Sequence, residues 1–275
     1  MLDKRTVNEE RGSIVRQSNF LIRESELYNL TQRQHKIVSY LISQIKPWDD
    51  DFHEYHFLRP DFCRVCGIFV DSGKNYKDLW DDLQDIASIV IRDVKLPDGR
   101  RTILRWIEKP YMDPSNNEII IRMDRELKMF LLQLHGNYTE YELFYILHFR
   151  SKYSIRLYQL LKESDYQEYA HETSLYRKRW DVDDLKRQLR AEKYSAYKNF
   201  KQRVLLPAIK EISEFSDKYI ERMEEIRRGR RISELIFHIG TRPPGERLKI
   251  QARIERDLDR IPGQMTLFET GNPEN

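Results

Sequence analysis

SLYRKRWDVDDLKRQLRAEKYSAYKNFKQRVLLPAIKEISEFSDKYIERMEEIRRGRRISELIFHIG, residues 174–240, decides how this chain is read. Asp181 stands where a helix cap belongs, ahead of a short apolar run through Leu185 and Leu189. The polar turn Arg190 to Lys193 then leads into a longer helix from about Tyr194. On that helix Tyr197, Phe200, Val204, Ala208 and Ile212 fall on one stripe, and Ser195, Asn199, Gln202, Arg203 and Lys210 on the other. Pro207 lies inside the pattern, where it removes a backbone donor and crowds the carbonyl of Arg203, so a kink is predicted there. Two β-rich runs close the stretch, Lys218 to Glu225 and Ile232 to Ile239, with Leu235, Phe237 and Ile239 alternating inward. Their turn is Arg227-Arg228-Gly229-Arg230-Arg231. Helix, helix, charged wing is the order of a DNA-reading module. Between Arg177 and Lys210 there are eleven Lys and Arg against four Asp and Glu, in a chain whose net charge is only +3. The positive charge is local, and so is the target it implies.

The remaining composition sets bounds. A chain of 275 residues, 40% hydrophobic and 12% aromatic, can fill two ordinary cores. Up to Arg150 there are 22 basic and 24 acidic residues, and after it 26 basic and 21 acidic, so the second half carries the electrostatic work. No apolar run approaches the roughly 20 residues that span a bilayer. The start MLDKRTVNEERGS has no hydrophobic region of a signal peptide. Two cysteines make no disulfide scaffold, and the expected compartment is the cytoplasm, with no membrane partner.

The first half repeats the plan. After a polar arm over residues 1–17, expected to be loose, Thr31 and Gln34 form a capping box for a helix through Ile37, Val38, Leu41, Ile42 and Ile45. Arg59 to Gly67 and Asn75 to Ala87 read as two more helices, and Ser88 to Leu96 and Arg101 to Ile107 as strands joined by Pro97-Asp98-Gly99. Three helices and a hairpin make a winged helix. Ile119 to Met123 reads as a further strand, with Asp124 capping a helix through Leu134. Thr139 and Glu142 read as a second capping box, opening YELFYILHF, and Ser151 opens SKYSIRLYQLLKES. The expected fold class is therefore α+β, two tandem winged-helix domains over residues 18–136 and 137–242. A C-terminal amphipathic stretch and tail follow over 243–275.

A recognition helix needs one packed face and one face that can pair with base edges. Asn199, Gln202 and Arg203 meet that need, since Asn and Gln can grip adenine and Arg can grip guanine through paired hydrogen bonds. Lys198, Lys201 and Lys210 suit phosphates. Arg227, Arg228, Arg230 and Arg231 would follow the backbone or enter a minor groove. Ser151 and Lys152, at a helix N-terminus, could hold another phosphate. In the first half Lys74, Asn75 and Lys77, with Arg100, Arg101 and Arg105 around the hairpin, are offset by Asp78, Asp81, Asp82 and Asp85. That domain is expected to touch phosphates or to serve mainly in dimerisation. A basic helix face alone is usually only solvated; the order of elements, the local charge and the wing together favour nucleic acid.

The chain resembles the theta-type plasmid replication initiators of the Rep superfamily over about residues 15–240. The likeness lies in Asn19 with LTQRQHKIVSYLIS, in YSIRLYQLLKES, and in YKNFKQRVLLPAIKEIS followed by SDKYIE and GRRISELIFHI. The resemblance implies a pseudo-twofold pair of winged helices and monomers that bind directly repeated origin sites, the iterons. It also implies a homodimer, in equilibrium with the monomer, that represses its own gene at an operator or holds origins apart. Host partners would be the initiator ATPase, the replicative helicase and, in some members, chaperones. It assigns a DNA-contact role to Lys198, Gln202 and Arg203, and it implies no enzymatic activity and no cofactor.

Rival chemistries are present but weaker. His53 and His56 with Cys63 and Cys66 have a spacing that could hold zinc, yet both cysteines fall where the first core must be filled, so no metal site is assigned. No pair of His separated by one apolar residue marks a nicking enzyme, and no Gly-rich phosphate loop marks an ATPase. A winged-helix repressor without a replication function is the alternative reading. The tail Gln264-Met265-Thr266-Leu267-Phe268 is similar to the peptide by which bacterial proteins dock on the replicative sliding clamp, with Gln264 for orientation and Leu267 and Phe268 as apolar anchors.

Overall fold

In the computed structural model, residues 2–24, 29–68, 73–96, 99–165 and 175–259 are described. The elements run α1 (Lys4–Arg11), β1 (Ile14–Ser18), α2 (Asn19–Arg23), α3 (Gln32–Ser43), β2 (Glu54–Leu58), α4 (Arg59–Val65), α5 (Gly73–Ser88), β3 (Ile91–Lys95) and β4 (Arg101–Leu104). They continue with β5 (Tyr111–Asp113), β6 (Glu118–Arg122), a short 3-10 turn, α6 (Lys128–Leu131), β7 (Tyr138–Glu142), α7 (Leu143–His148) and α8 (Lys152–Asp165). The second half holds β8 (Tyr176–Asp181), α9 (Val182–Gln188), α10 (Tyr197–Phe200), a π-helical turn over Lys201–Leu205, α11 (Leu206–Phe215), β9 (Lys218–Arg228), β10 (Arg231–Thr241) and α12 (Pro244–Asp259).

Both halves are winged helices, closed in different ways. In the second, α9 and α11 pack on a sheet of order β8-β10-β9, and α8 packs on α11. Leu235, Phe237 and Ile239 are buried from one side of β10, and Trp180 of β8 meets Phe237 edge-on at 5.0 Å between centroids. In the first, α3, α4 and α5 surround Ile37, Leu41, Phe62, Leu79, Leu83 and Ile86. The β3–β4 hairpin forms as the turn chemistry predicts, but β2 pairs with β6 in a separate sheet of order β2-β6-β5. The strand read as an extra is thus the one that closes the first unit. Thr31 caps α3 in a complete box with Gln34.

Four expectations are corrected. The loose arm is a helix and a strand. Val7 and Val15 are fully buried, and the buried Arg11 guanidinium donates to the Arg64 carbonyl at 2.7 Å, at the C-terminal end of α4, where carbonyls lack helical donors. The Thr139–Glu142 capping box does not form. Those residues lie in β7, which pairs antiparallel with β1, and the Thr139 hydroxyl donates to Asn19 Oδ1 at 2.6 Å instead. The helix after Asp124 stops at Leu131 rather than Leu134. The long helix starts at Tyr197 rather than Tyr194, and Pro207 stands in the first turn of α11, directly after the π-helical turn over Lys201–Leu205.

Polar groups weld the two halves. Tyr141 Oη accepts from Gln17 Nε2 at 2.9 Å and from Gln159 Nε2 at 2.8 Å, and Arg156 donates to both Gln159 and the Ile22 carbonyl. These groups are buried, and directional buried hydrogen bonds fix one register where apolar contacts would tolerate several. Across the β1–β7 ribbon, the expected boundary at residue 136 is bridged by paired strands.

Candidate nucleic-acid interface

The reading helix is oriented by its apolar side. Phe200, Val204, Ala208 and Ile212 are all buried, while Lys198, Asn199, Gln202, Arg203 and Lys210 are exposed, as the two stripes predict. Among the described residues the side chains of Lys198, Asn199, Gln202 and Arg203 have no protein partner. Four polar groups presented together toward solvent can take up base edges or phosphates without first breaking an internal contact. Tyr197 does not simply join the core. Its hydroxyl donates to Glu225 on β9 at 2.7 Å.

Lys201 departs from its expected place. Its Nζ sits 2.6 Å from Glu225 Oε1, so it braces the helix against the wing strand instead of standing with the outward lysines. Partial burial would raise the Glu225 carboxyl, but hydrogen bonds from Lys201 and Tyr197 override it and hold the group below the usual carboxylate range. Lys210 also lies apart. It lines a cavity of about 490 Å³ with Ser213, Arg242, Glu246 and Ile250, on the α12 side of the helix.

The wing is longer and its turn tighter than the sequence suggested. β9 runs three residues and β10 one residue further toward the tip, and only Gly229 and Arg230 lie between them, with Gly229 at φ +62° as a two-residue hairpin turn requires. Arg227, Arg228 and Arg231 are therefore strand residues. Arg227 shares the side of β9 that carries Glu225, two residues away, and so faces the reading helix. Arg228 pairs with Glu234 at 2.6 Å, and Arg231 lies 3.6 Å from Asp183. Arg230 is exposed at the tip.

Ser151 and Lys152 are already occupied. The Ser151 hydroxyl caps α8 by accepting from the Tyr153 amide at 3.1 Å, and Lys152 donates to Asn29 at 2.9 Å. In the first unit, the side chains of Lys74 and Asn75 lie outside the described residues, and Lys77 is exposed on α5. The acidic residues expected to repel DNA from α5 are partly turned inward: Arg33 of α3 contacts Asp78 and Asp82, and Gln34 bridges Asp82 and Asp85. Arg100, Arg101 and Arg105 are exposed around the hairpin, Arg101 at 3.1 Å from Asp93. Cys63 and Cys66 are buried thiols. Burial raises Cys63 to about 12 and holds Cys66 well above the ordinary thiol range, against metal-binding thiolates, and no group of three or more metal-ligating side chains occurs among the described residues. Among the described residues no helix is long and apolar enough to cross a membrane. Gln264, Leu267 and Phe268 lie outside the described residues.

Two family descriptions match this architecture in sequence. "Initiator Replication protein, WH1" covers residues 14–162, and "Initiator Rep protein, WH2" covers residues 181–239. The chain belongs to the initiator replication proteins. The first match begins at β1 and ends within α8, so the family's first unit includes the β1–β7 ribbon and most of the welding helix. No curated protein matches the chain. Among solved structures, the crystal structure of Pi initiator protein in complex with iteron DNA is similar at a TM-score of 0.66 and 20% identity, over 84% of this chain and 98% of that one. At that identity the likeness speaks for the tandem winged-helix fold.

Proposed function

We propose that this initiator binds double-stranded origin DNA of a plasmid in a sequence-specific manner, reading repeated sites as a monomer through the helix Tyr197–Phe215. The observation that supports it best is the unpartnered set Lys198, Asn199, Gln202 and Arg203, held outward beside a wing tipped by Arg230. Two winged units in one rigid chain can occupy successive major grooves about one helical turn apart. The first unit then adds phosphate contacts from Lys77, Arg100, Arg101 and Arg105 and takes part in a homodimer that represses its own operator. The host initiator ATPase and replicative helicase are recruited to the assembled origin, chaperones shift the dimer toward monomer, and the protein performs no catalysis of its own.

Footprinting on the DNA around its own gene tests this reading. Protection of repeats with one spacing supports it; random protection, or none, overturns it. A repressor without a replication function is separated by outcome, because only an initiator lets a plasmid carrying the protected repeats replicate. The tail Gln264-Met265-Thr266-Leu267-Phe268 is proposed as a sliding-clamp contact. Truncation after Pro262 should abolish clamp binding while leaving the footprint unchanged, and clamp binding that survives it ends that part of the proposal.

A further inference from the structure

The reading helix carries an apolar pair in the middle of its polar face. Along it residues 198 and 199 are exposed and 200 buried, 202 and 203 exposed and 204 buried, 206 and 207 exposed and 208 buried, then 210 exposed and 212 buried. This is a repeat of four. On a regular α-helix each step of four overshoots a full turn by about 40°, so three steps would carry Ile212 about 120° away from Phe200. The wider π-helical turn over Lys201–Leu205 absorbs much of that drift and keeps both stripes straight. Leu206 consequently stands in line with Gln202, and Pro207 in line with Asn199 and Arg203.

Leu206 is 45% exposed while its neighbour Leu205 is fully buried, so the core has taken one leucine and left the other on the reading face. A single exposed leucine elsewhere would need no explanation. This one lies among the side chains that would meet base edges, next to a second apolar residue. The major groove offers one methyl group on its base edges, the C5-methyl of thymine. We propose that Leu206, supported by Pro207, packs on a thymine methyl and so determines one base pair of the site. The assignment rests on the DNA-reading function proposed above.

Deoxyuridine tests it, because it keeps the pairing and hydrogen-bonding groups of thymine and lacks only the methyl. Each thymine of the protected repeat is replaced in turn by deoxyuridine, and affinity is measured for the wild-type protein and for Leu206→Ala, whose melting temperature should match wild type because the side chain is exposed. At one thymine the replacement should weaken wild-type binding about fourfold, the factor expected for burying one methyl-sized group. Leu206→Ala should bind the two DNAs equally well. A deoxyuridine effect of the same size in both proteins, or none at any position, overturns the assignment while leaving the DNA-reading function standing. Absence of any protected DNA overturns that function first and this assignment with it.

Discussion

Lys201 Nζ lies 2.6 Å from Glu225 Oε1, and through this pair the reading helix is fastened to the strand that carries the wing. Tyr197 shares the same carboxylate, so one acid on β9 sets the angle between the two DNA-facing elements. The contact also hides a positive charge from any phosphate. Glu225→Gln should release Lys201, raise affinity for unrelated DNA, and steepen the salt dependence of binding by about one counterion. Because the pair is partly exposed, folding stability should fall by no more than about 1 kcal/mol. Titrations at several salt concentrations check this, and an unchanged slope would mean that Lys201 does not reach the backbone when freed.

Arg203 and Lys198 should separate base reading from phosphate binding. Both are exposed and unpartnered among the described residues, so neither substitution should disturb the fold. Arg203→Ala should cost about 1–3 kcal/mol on the cognate repeat and relax selectivity at one base pair, whereas Lys198→Ala should weaken all sequences alike. Selection from a randomised pool with each variant distinguishes the two. Should Arg203→Ala select the same consensus as wild type, its side chain is not a base reader.

What could be read from the sequence follows from the range of each signal. The Thr31 box, the Asp181 cap and the inward alternation of Leu235, Phe237 and Ile239 are local patterns, and each is found in place. The two stripes of the reading helix are equally local. The β1–β7 ribbon leaves no local mark, because Gln17 and Thr139 are polar and pair with residues more than a hundred positions away. β8 is equally faint, because an edge strand shows only Tyr176 and Trp180 to the core and its arginines read as a charged loop. For Glu225 a signal existed: it sits opposite Leu235, on the helix-facing side of β9. An inward carboxylate there calls for a cationic partner on the helix.

Asp217 gives the protein an acid-sensitive joint. Its carboxylate is buried and accepts from Tyr158 Oη and Lys162 Nζ, each at 2.8 Å. Burial alone would raise it, but Lys162, with Lys218 and the Tyr158 hydroxyl, holds it below the ordinary aspartate range. A depressed folded value means that the stabilisation is complete above about pH 4, where an unfolded aspartate is ionised, and is lost as pH falls through the folded value. Asp217→Asn should cost about 3–5 kcal/mol near neutrality, since it removes the buried negative charge to which Lys162 and Tyr158 donate. The gap between variant and wild type should narrow on acidification. Denaturant midpoints for both proteins from neutral pH to about pH 3 check this, and curves that stay parallel throughout would falsify it.

Gly240 is required by space and not by backbone angle. It lies opposite Tyr219 at the base of the wing, and a Cβ at this position would stand 2.2 Å from Tyr219 Cζ and 2.5 Å from its hydroxyl oxygen. The ring covers the glycine, with the guanidinium of Arg242, the residue after β10, 5.3 Å from its centroid. Gly240→Ala must push the ring toward solvent and break that stacking, at a cost of about 1–3 kcal/mol. Adding Tyr219→Ala removes the obstacle. The double variant should therefore be more stable than the sum of the two single losses, by about 0.5–3 kcal/mol, as expected for residues in contact. DNA affinity should change little at folding conditions, because Gly240 stands at the opposite end of an eleven-residue strand from the Gly229-Arg230 tip, roughly 30 Å away at the usual rise per residue. Urea midpoints of the four proteins in the cycle decide it; strict additivity would place the cost of Gly240→Ala in the backbone instead of in the ring.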